Sequence, residues 1–114
     1  MADCLFCGIA NGEIPGDIVY RDDSVLAFRD IDPKAPVHIL IIPGRHIGSL
    51  AELEPGDGEV LGHAMEVARQ VAVDQGVAGS GFRLVVNTGA DAAQSVHHVH
   101  FHLLGGRSLA WPPG

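Results

Sequence analysis

Residues 97–104 read HHVHFHLL, and this stretch near the C-terminus decides more of the fold than any other. From position 98 onward, histidine alternates with an apolar side chain, which is the period of a β-strand. The spacing therefore predicts a strand over 97–104, with His98, His100 and His102 on one face, roughly 7 Å apart. Histidine titrates near neutral pH, so three imidazoles in this arrangement indicate proton transfer, nucleophilic attack or metal binding.

The composition limits what this chain can be. It has 114 residues, 46% of them hydrophobic, which is typical of one small globular domain. Its formal net charge is −7 and its only lysine is Lys34, so we expect it to bind neither nucleic acid nor an anionic membrane. The longest apolar run, 39–42, is too short to span a bilayer. The N-terminus lacks signal-peptide features, so a cytoplasmic location is expected.

Hydrophobic periodicity predicts an α+β fold, with five strands in a mostly antiparallel sheet, one long helix and a short N-terminal helix. The long helix is predicted over 58–75, with Asp57 as its N-cap and Gly76 just after its end. A five-stranded sheet with a single helix leaves apolar surface uncovered, so we also predict a homodimer. The remaining predicted elements are helical turns at 5–11 and 49–53 and strands at 17–21, 24–30, 37–42 and 82–87.

The two cysteines, Cys4 and Cys7, are spaced Cys-x-x-Cys. No strand of a thioredoxin-like unit precedes them, so half of a zinc site is a better interpretation than a redox pair. The chain has seven histidines that could supply the other ligands. Two ordinary thiols remain the alternative.

The stretch 98–104, HVHFHLL, resembles the signature of the histidine-triad (HIT) family. Gln94 and Ser95 before it, and LGGR at 104–107 with WPPG at 111–114 after it, resemble the Hint branch, the histidine-triad nucleotide-binding proteins. The resemblance extends in order over nearly the whole chain. It implies a single HIT domain over 1–114, with a C-terminal tail, 105–114, at the dimer and active-site surface.

The Hint branch consists of homodimers that bind purine nucleotides, so the resemblance implies a nucleoside phosphoramidase acting on AMP joined to lysine or another amine. It implies that His100 is the nucleophile and forms a covalent nucleotidyl intermediate, which water then hydrolyses. Ser95 and His102 would relay a proton to the leaving amine, with His38 beside them. This chemistry needs no cofactor.

The resemblance also assigns binding residues. Asp30 matches the position that binds the ribose hydroxyls, and Trp111 matches a tail residue that reaches the partner subunit's active site. The apolar nucleotide-binding positions are Leu5, Phe6, Ile9, Ile14, Phe28 and Ile31. The positions that match phosphate contacts are Asn87, Gln94, Ser95 and His102, and His100 is the remaining nucleotide-binding position.

A structural Zn²⁺ site follows from zinc-containing relatives in the wider superfamily, in which the first triad histidine is a ligand. The implied set is Cys4, Cys7, His46 and His98, and four protein ligands leave no open position for catalysis.

The chain departs from the family at two places. Ala92 and Ala93 stand where glycines are common, and His97 replaces a residue that is usually aromatic, adding an imidazole beside the triad.

Other interpretations remain open from the residues alone. The three histidines could be solvated polar residues, or His100 and His102 could bind a catalytic metal. The protein could also be a nucleotide-binding interaction module with little turnover, or a dinucleoside polyphosphate hydrolase.

Overall fold

The fold is a five-stranded sheet with helices on both faces, seen in a computed structural model that describes residues 4–114. The first three residues of the predicted domain lie outside this range. The elements are α1 (Leu5–Ala10), β1 (Ile18–Arg21), β2 (Val25–Arg29), β3 (Val37–Pro43), a 3₁₀ helix (Leu50–Glu52), α2 (Asp57–Asp74), β4 (Phe82–Val86) and β5 (Phe101–Gly105). The predicted α+β fold, with one long and one short helix, is confirmed.

All strand pairs in the sheet are antiparallel, and the order is β1-β2-β3-β5-β4. The central strand, β3, is buried along its whole length. Leu40 on β3 lies opposite Phe28 on one side and His102 on the other. His102 is therefore held near the middle of a rigid sheet.

The two faces of the sheet are covered to different extents. α2 covers one face, and its apolar side chains form the larger core with residues such as Ile39, Phe101 and Leu103. Each of these side chains contributes about 1.5–3 kcal/mol when fully buried. The short α1 covers only part of the opposite face, where Phe6 and Ile9 form a smaller core. The uncovered remainder of that face carries the polar residues described below.

The last strand is shorter than predicted. β5 begins at Phe101, and residues 97–100 run outside the regular sheet. In this segment the Val99 N–H donates to the Ile47 carbonyl at 2.6 Å, and the His98 and His100 rings bond to backbone carbonyls. The alternation of faces still holds, because Val99 is buried in the α2-side core.

The N-terminus of α2 also differs from the prediction. Asp57 is the first residue of the helix, and Gly56, at φ 94°, is the N-cap. The Asp57 carboxylate instead accepts the Glu54 N–H at 2.9 Å and pairs with Arg45 at 2.7 Å, and these bonds lower its pKa. At the other end α2 stops at Asp74 with Gln75 as its C-cap, one residue earlier than predicted, and Gly76 follows at φ 75°. Neither described helix is both long and apolar enough to cross a membrane.

Candidate active site

A cavity of about 600 Å³ lies between α1 and the sheet. This volume suits a ligand of nucleotide size. One end is polar and is formed by Asp30, Ser95, His100 and His102. The rest of the lining is mostly apolar and includes all six predicted apolar binding residues, Leu5, Phe6, Ile9, Ile14, Phe28 and Ile31.

Phe6 joins the apolar wall to the histidines. Its ring packs edge-to-face on Phe28, with centroids 5.4 Å apart, and on His100, with centroids 5.0 Å apart. Gly8, two residues further along α1, packs so closely that an added Cβ would collide with the Ile14 side chain. Because of these two residues, α1 packs closely against the cavity wall.

His100 is buried, and one ring nitrogen is already committed. Its Nδ1 lies 2.7 Å from the His98 carbonyl oxygen. A carbonyl only accepts, so Nδ1 must carry the hydrogen. In the neutral ring, Nε2 is then left with a lone pair. An imidazole in this state is a nucleophile whose tautomer is fixed by the backbone.

His102 is held in the complementary state by a chain of hydrogen bonds. The Lys34 N–H donates to Nδ1 of His38 at 3.0 Å, so the hydrogen of neutral His38 is on Nε2. That nitrogen lies 2.9 Å from Nδ1 of His102 and donates to it. Neutral His102 therefore carries its hydrogen on Nε2, where it can act as a donor.

The surroundings keep these two rings neutral. Burial, followed by the nearby His100 and His38, lowers the pKa of His102 to about 4. Burial also lowers the pKa of His38, although Asp30 opposes this shift. The Asp30 carboxylate lies 3.4 Å from His38 Nε2 and accepts the Asp32 N–H at 2.8 Å. At neutral pH the pair therefore presents a hydrogen-bond donor with no net positive charge.

A cluster of two thiols and two imidazoles lies on the other side of Phe6. The Cys4 and Cys7 Sγ atoms and the His46 and His98 Nδ1 atoms all lie within 4.8 Å of one another, so these four side chains could hold a metal ion. The Nε2–H of His98 donates to the Pro43 carbonyl at 2.9 Å, which leaves Nδ1 free as a ligand. Burial lowers the pKa of His98 to about 4, which favours the neutral form that binds metals.

Comparison with known proteins identifies the family. The HIT domain matches residues 11–109. The chain belongs to the HIT family. HIT-like proteins of Synechocystis and Synechococcus elongatus are 49% and 51% identical to it over 112 residues, covering 98% of this chain and 97% of each relative.

Solved structures of other HIT proteins have the same fold. A HIT family hydrolase of Legionella pneumophila is 47% identical, with a TM-score of 0.96 over 98% of this chain and 100% of that protein. A histidine triad nucleotide-binding protein of Candida albicans is 30% identical, with a TM-score of 0.82 over 96% of this chain and 83% of that protein.

Not all the predicted phosphate-contact residues of this HIT protein line the same cavity. Ser95 lines the same cavity as His100 and His102, and its exposed hydroxyl has no hydrogen-bond partner among residues 4–114. Asn87 instead lines a neighbouring cavity of about 390 Å³, which His102 also borders. The side-chain amide of Gln94 is bonded to backbone groups of Gly48, Gly89 and Val96.

The C-terminal tail lies against its own domain, and Pro113 lines the 390 Å³ cavity that His102 borders. Arg83 holds the tail by donating to the Ala110 carbonyl at 2.9 Å, and Arg107 donates to the Lys34 carbonyl at 2.9 and 3.1 Å. Trp111 is 81% exposed and does not line either cavity of its own chain.

His97, which departs from the family pattern, faces away from the triad. Its ring is exposed and its Nε2 lies 2.8 Å from Glu52 Oε2. Asp30, His38 and His102 form a second group close enough for a metal. However, the Lys34 N–H occupies Nδ1 of His38 and places the hydrogen on Nε2, so Nε2 is not available as a ligand.

Sequence reasoning missed the backbone groups that fix the rings. These are the carbonyls of Pro43 and His98 and the N–H of Lys34. Backbone groups are present at every residue, so no residue type could have indicated them.

Proposed function

We propose that this HIT protein is a nucleoside phosphoramidase of the Hint type, which hydrolyses AMP joined to lysine or another amine through a nucleotidyl-His100 intermediate. One observation carries the proposal: the His100 Nδ1–H bond to the His98 carbonyl, which leaves Nε2 unprotonated in a ring that lines the cavity. The structural match to a protein named as a HIT family hydrolase supports hydrolysis in general.

The cavity supports a nucleotide as the ligand. A purine ring would lie in the apolar part beside Phe6 and Phe28, and the ribose hydroxyls would donate to Asp30 at the polar end. The walls hold few polar groups, so they would discriminate weakly among purines. The phosphate would be held by neutral donors, among them the Nε2–H of His102 and the Ser95 hydroxyl.

The proposed reaction has two steps at phosphorus. Nε2 of His100 forms a bond to the phosphorus, and the P–N bond to the amine breaks. The amine takes a proton from the Ser95 hydroxyl, which regains one from solvent because this residue is exposed. Water then attacks the phosphorus and gives up a proton to solvent, which replaces the proton taken in the first step. The bond to Nε2 breaks, and the nucleoside monophosphate leaves. The His98 carbonyl stabilises the positive charge on the nucleotidylated ring.

We also propose that Zn²⁺ fills the cysteine–histidine cluster. The S···N distances are 3.3 Å for Cys4–His98, 3.4 Å for Cys7–His46 and 3.5 Å for Cys7–His98. Tetrahedral zinc with ordinary Zn–S and Zn–N bonds would set these distances at about 3.6 Å. The ion would be structural, joining α1 to the segment that leads into the triad.

We propose in addition that the protein is a homodimer in which Trp111 reaches the partner's active site. The exposure of this large side chain, on a tail held by Arg83 and Arg107, supports a role outside its own domain.

Trapping the intermediate tests the proposed reaction. The protein is mixed with an adenosine 5′-phosphoramidate, quenched within one turnover, digested at alkaline pH and analysed by mass spectrometry. We expect AMP attached to the peptide that carries His100, and no adduct with the His100→Asn variant. An adduct on another residue would overturn the mechanism. Tight AMP binding with neither adduct nor turnover would show a binding module instead.

A further inference from the structure

The side chain of Gln94 has no amide hydrogen left for a ligand. Its Nε2 donates to the Gly48 carbonyl at 2.8 Å and to the Val96 carbonyl at 3.0 Å, and its Oε1 accepts the Gly89 N–H at 3.0 Å. Two carbonyls and one N–H define the orientation of the amide without ambiguity. This arrangement does not fit the direct phosphate contact that the resemblance implies for this residue.

These bonds close the loop that precedes the triad. The backbone N–H of Gln94 also bonds to Gly89, at 3.1 Å, so backbone and side chain together fasten both ends of a tight turn. Within that turn Ala93 has a φ of 62°, the only positive value among non-glycine residues in 4–114. The bond from Gln94 Nε2 to the Gly48 carbonyl joins the turn to a neighbouring segment, in which the Ile47 carbonyl accepts the Val99 N–H.

Ser95 lies inside this set of bonds. The amide of Gln94 reaches over Ser95 to the carbonyl of Val96, so the backbone of Ser95 is held from both sides. Ser95 lines the same cavity as His100 and His102, and its exposed hydroxyl makes no hydrogen bond within residues 4–114, so the path of its backbone is what directs it into the cavity.

We propose that Gln94 is a positioning residue that fixes Ser95 for delivering a proton to the leaving amine. The inference rests on the proposed phosphoramidase function. As the P–N bond breaks, the proton moves from Ser95 Oγ to the amine nitrogen, and Oγ takes a proton from solvent water. Gln94 touches neither the phosphate nor the leaving group.

Two substrates with different leaving groups test this proposal. One is an AMP–alkylamine phosphoramidate, whose amine must be protonated as it leaves. The other is a nitrophenyl ester of AMP, whose nitrophenolate leaves as a stable anion. The test variant is Gln94→Met, which keeps the length of the side chain but makes none of the three bonds.

We expect Gln94→Met to lower kcat for the phosphoramidate about tenfold to 100-fold, the usual range for a misplaced general acid. For the nitrophenyl ester we expect less than about a threefold loss, and an AMP dissociation constant within about twofold of the parent. Ser95→Ala should also lower kcat more for the phosphoramidate than for the nitrophenyl ester, and adding Gln94→Met to it should not widen that difference, because both changes remove the same proton delivery.

Other results would overturn the inference in distinguishable ways. Equal losses on both substrates together with weaker AMP binding would mean that Gln94 contacts the phosphate. A parent protein with no turnover of either substrate would overturn the proposed function, and this inference with it.

A second variant keeps the test valid if Gln94→Met does not fold. Gln94→Glu retains an oxygen that can accept the Gly89 N–H. Its second oxygen faces the Gly48 and Val96 carbonyls and repels them while the carboxylate is ionised, and protonation of the carboxylate restores one donor. Its phosphoramidate activity relative to the parent should rise as pH falls. A flat ratio would contradict the positioning role.

Discussion

His98 and His100 are two residues apart, face the same side of the chain and are both buried, yet the structure prepares them for different chemistry. The Pro43 carbonyl binds Nε2–H of His98 and leaves Nδ1 free towards the two cysteines. The His98 carbonyl binds Nδ1–H of His100 and leaves Nε2 free. The comparison teaches that the backbone acceptor, rather than the residue type, selects which ring nitrogen keeps its lone pair.

His102 extends the comparison to a third state. Here a side chain, His38, donates to Nδ1 and leaves Nε2 as a donor. Three histidines at equal spacing thus present a lone pair on Nδ1 of His98, a lone pair on Nε2 of His100 and a hydrogen-bond donor on Nε2 of His102. Each of the following predictions changes one of these states and leaves the others in place.

The largest effect is expected from His100→Asn. Loss of the nucleophile should lower turnover of an adenosine phosphoramidate by at least about 10⁴-fold. Binding of AMP and metal content should stay close to those of the parent, because the apolar wall and the cysteine–histidine cluster are unchanged. Steady-state kinetics, calorimetric titration with AMP and elemental analysis measure the three quantities.

A matched change at the neighbouring histidine completes this comparison. His98→Ala removes the metal ligand but keeps the backbone carbonyl that orients His100. It should lose the metal while retaining nucleotidylation of His100. If His98→Ala instead kept its full metal content and lost nucleotidylation of His100, the proposed roles of His98 and His100 would be wrong.

The second largest effect concerns the metal cluster. Cys7→Ser, or chelation of the parent, should lower the bound zinc from about one ion per chain and destabilise the fold. With free zinc at about 1,000 times its dissociation constant, the loss is about 4 kcal/mol in the free energy of unfolding. Elemental analysis and thermal unfolding with added zinc or chelator measure both.

His97→Ala is the control for the metal prediction. His97 is adjacent in sequence to His98 but pairs with Glu52 on the surface. The His97→Ala variant should therefore keep its zinc, and its free energy of unfolding should stay within about 0.5 kcal/mol of that of the parent. Equal stabilities of the parent with and without zinc would contradict a structural ion.

How much of this arrangement the sequence could predict differs between side chains and backbone. The alternation at 98–103 correctly predicted which side chains face the core, because a period of two survives even where the regular strand does not. The strand start was wrong because the His98 and His100 rings bond to backbone carbonyls there. Asp57 failed as an N-cap because Arg45, distant in sequence, binds its carboxylate. Such partners depend on the folded path of the chain.

The third prediction uses pH to examine His102. Its folded pKa is about 4, below its usual value of 6.5. Between these values the unfolded chain binds a proton that the folded chain does not, so the free energy of unfolding falls as pH decreases from 6.5 to 4. The slope should stay below the limit of about 1.4 kcal/mol per pH unit, because the ring keeps some contact with water.

Unfolding of the parent and of His102→Gln, followed over this pH range, isolates the contribution of His102. The variant lacks the titrating ring, so its stability should depend less steeply on pH. Parallel curves for the two proteins would show that burial does not hold His102 neutral.

The smallest effect is expected at Ala93, in the turn that precedes Ser95. A non-glycine residue at φ 62° carries roughly 1–2 kcal/mol of strain, part of which glycine would lose again through its freer unfolded chain. Ala93→Gly should therefore raise the free energy of unfolding by about 0.5–1 kcal/mol in denaturant titrations, with unchanged zinc affinity. Ala92→Gly is the matched control: φ is not positive at Ala92, so the same substitution should lower stability. If both variants were destabilised equally, the turn before Ser95 would hold no backbone strain, and its geometry would not lower the stability of the fold.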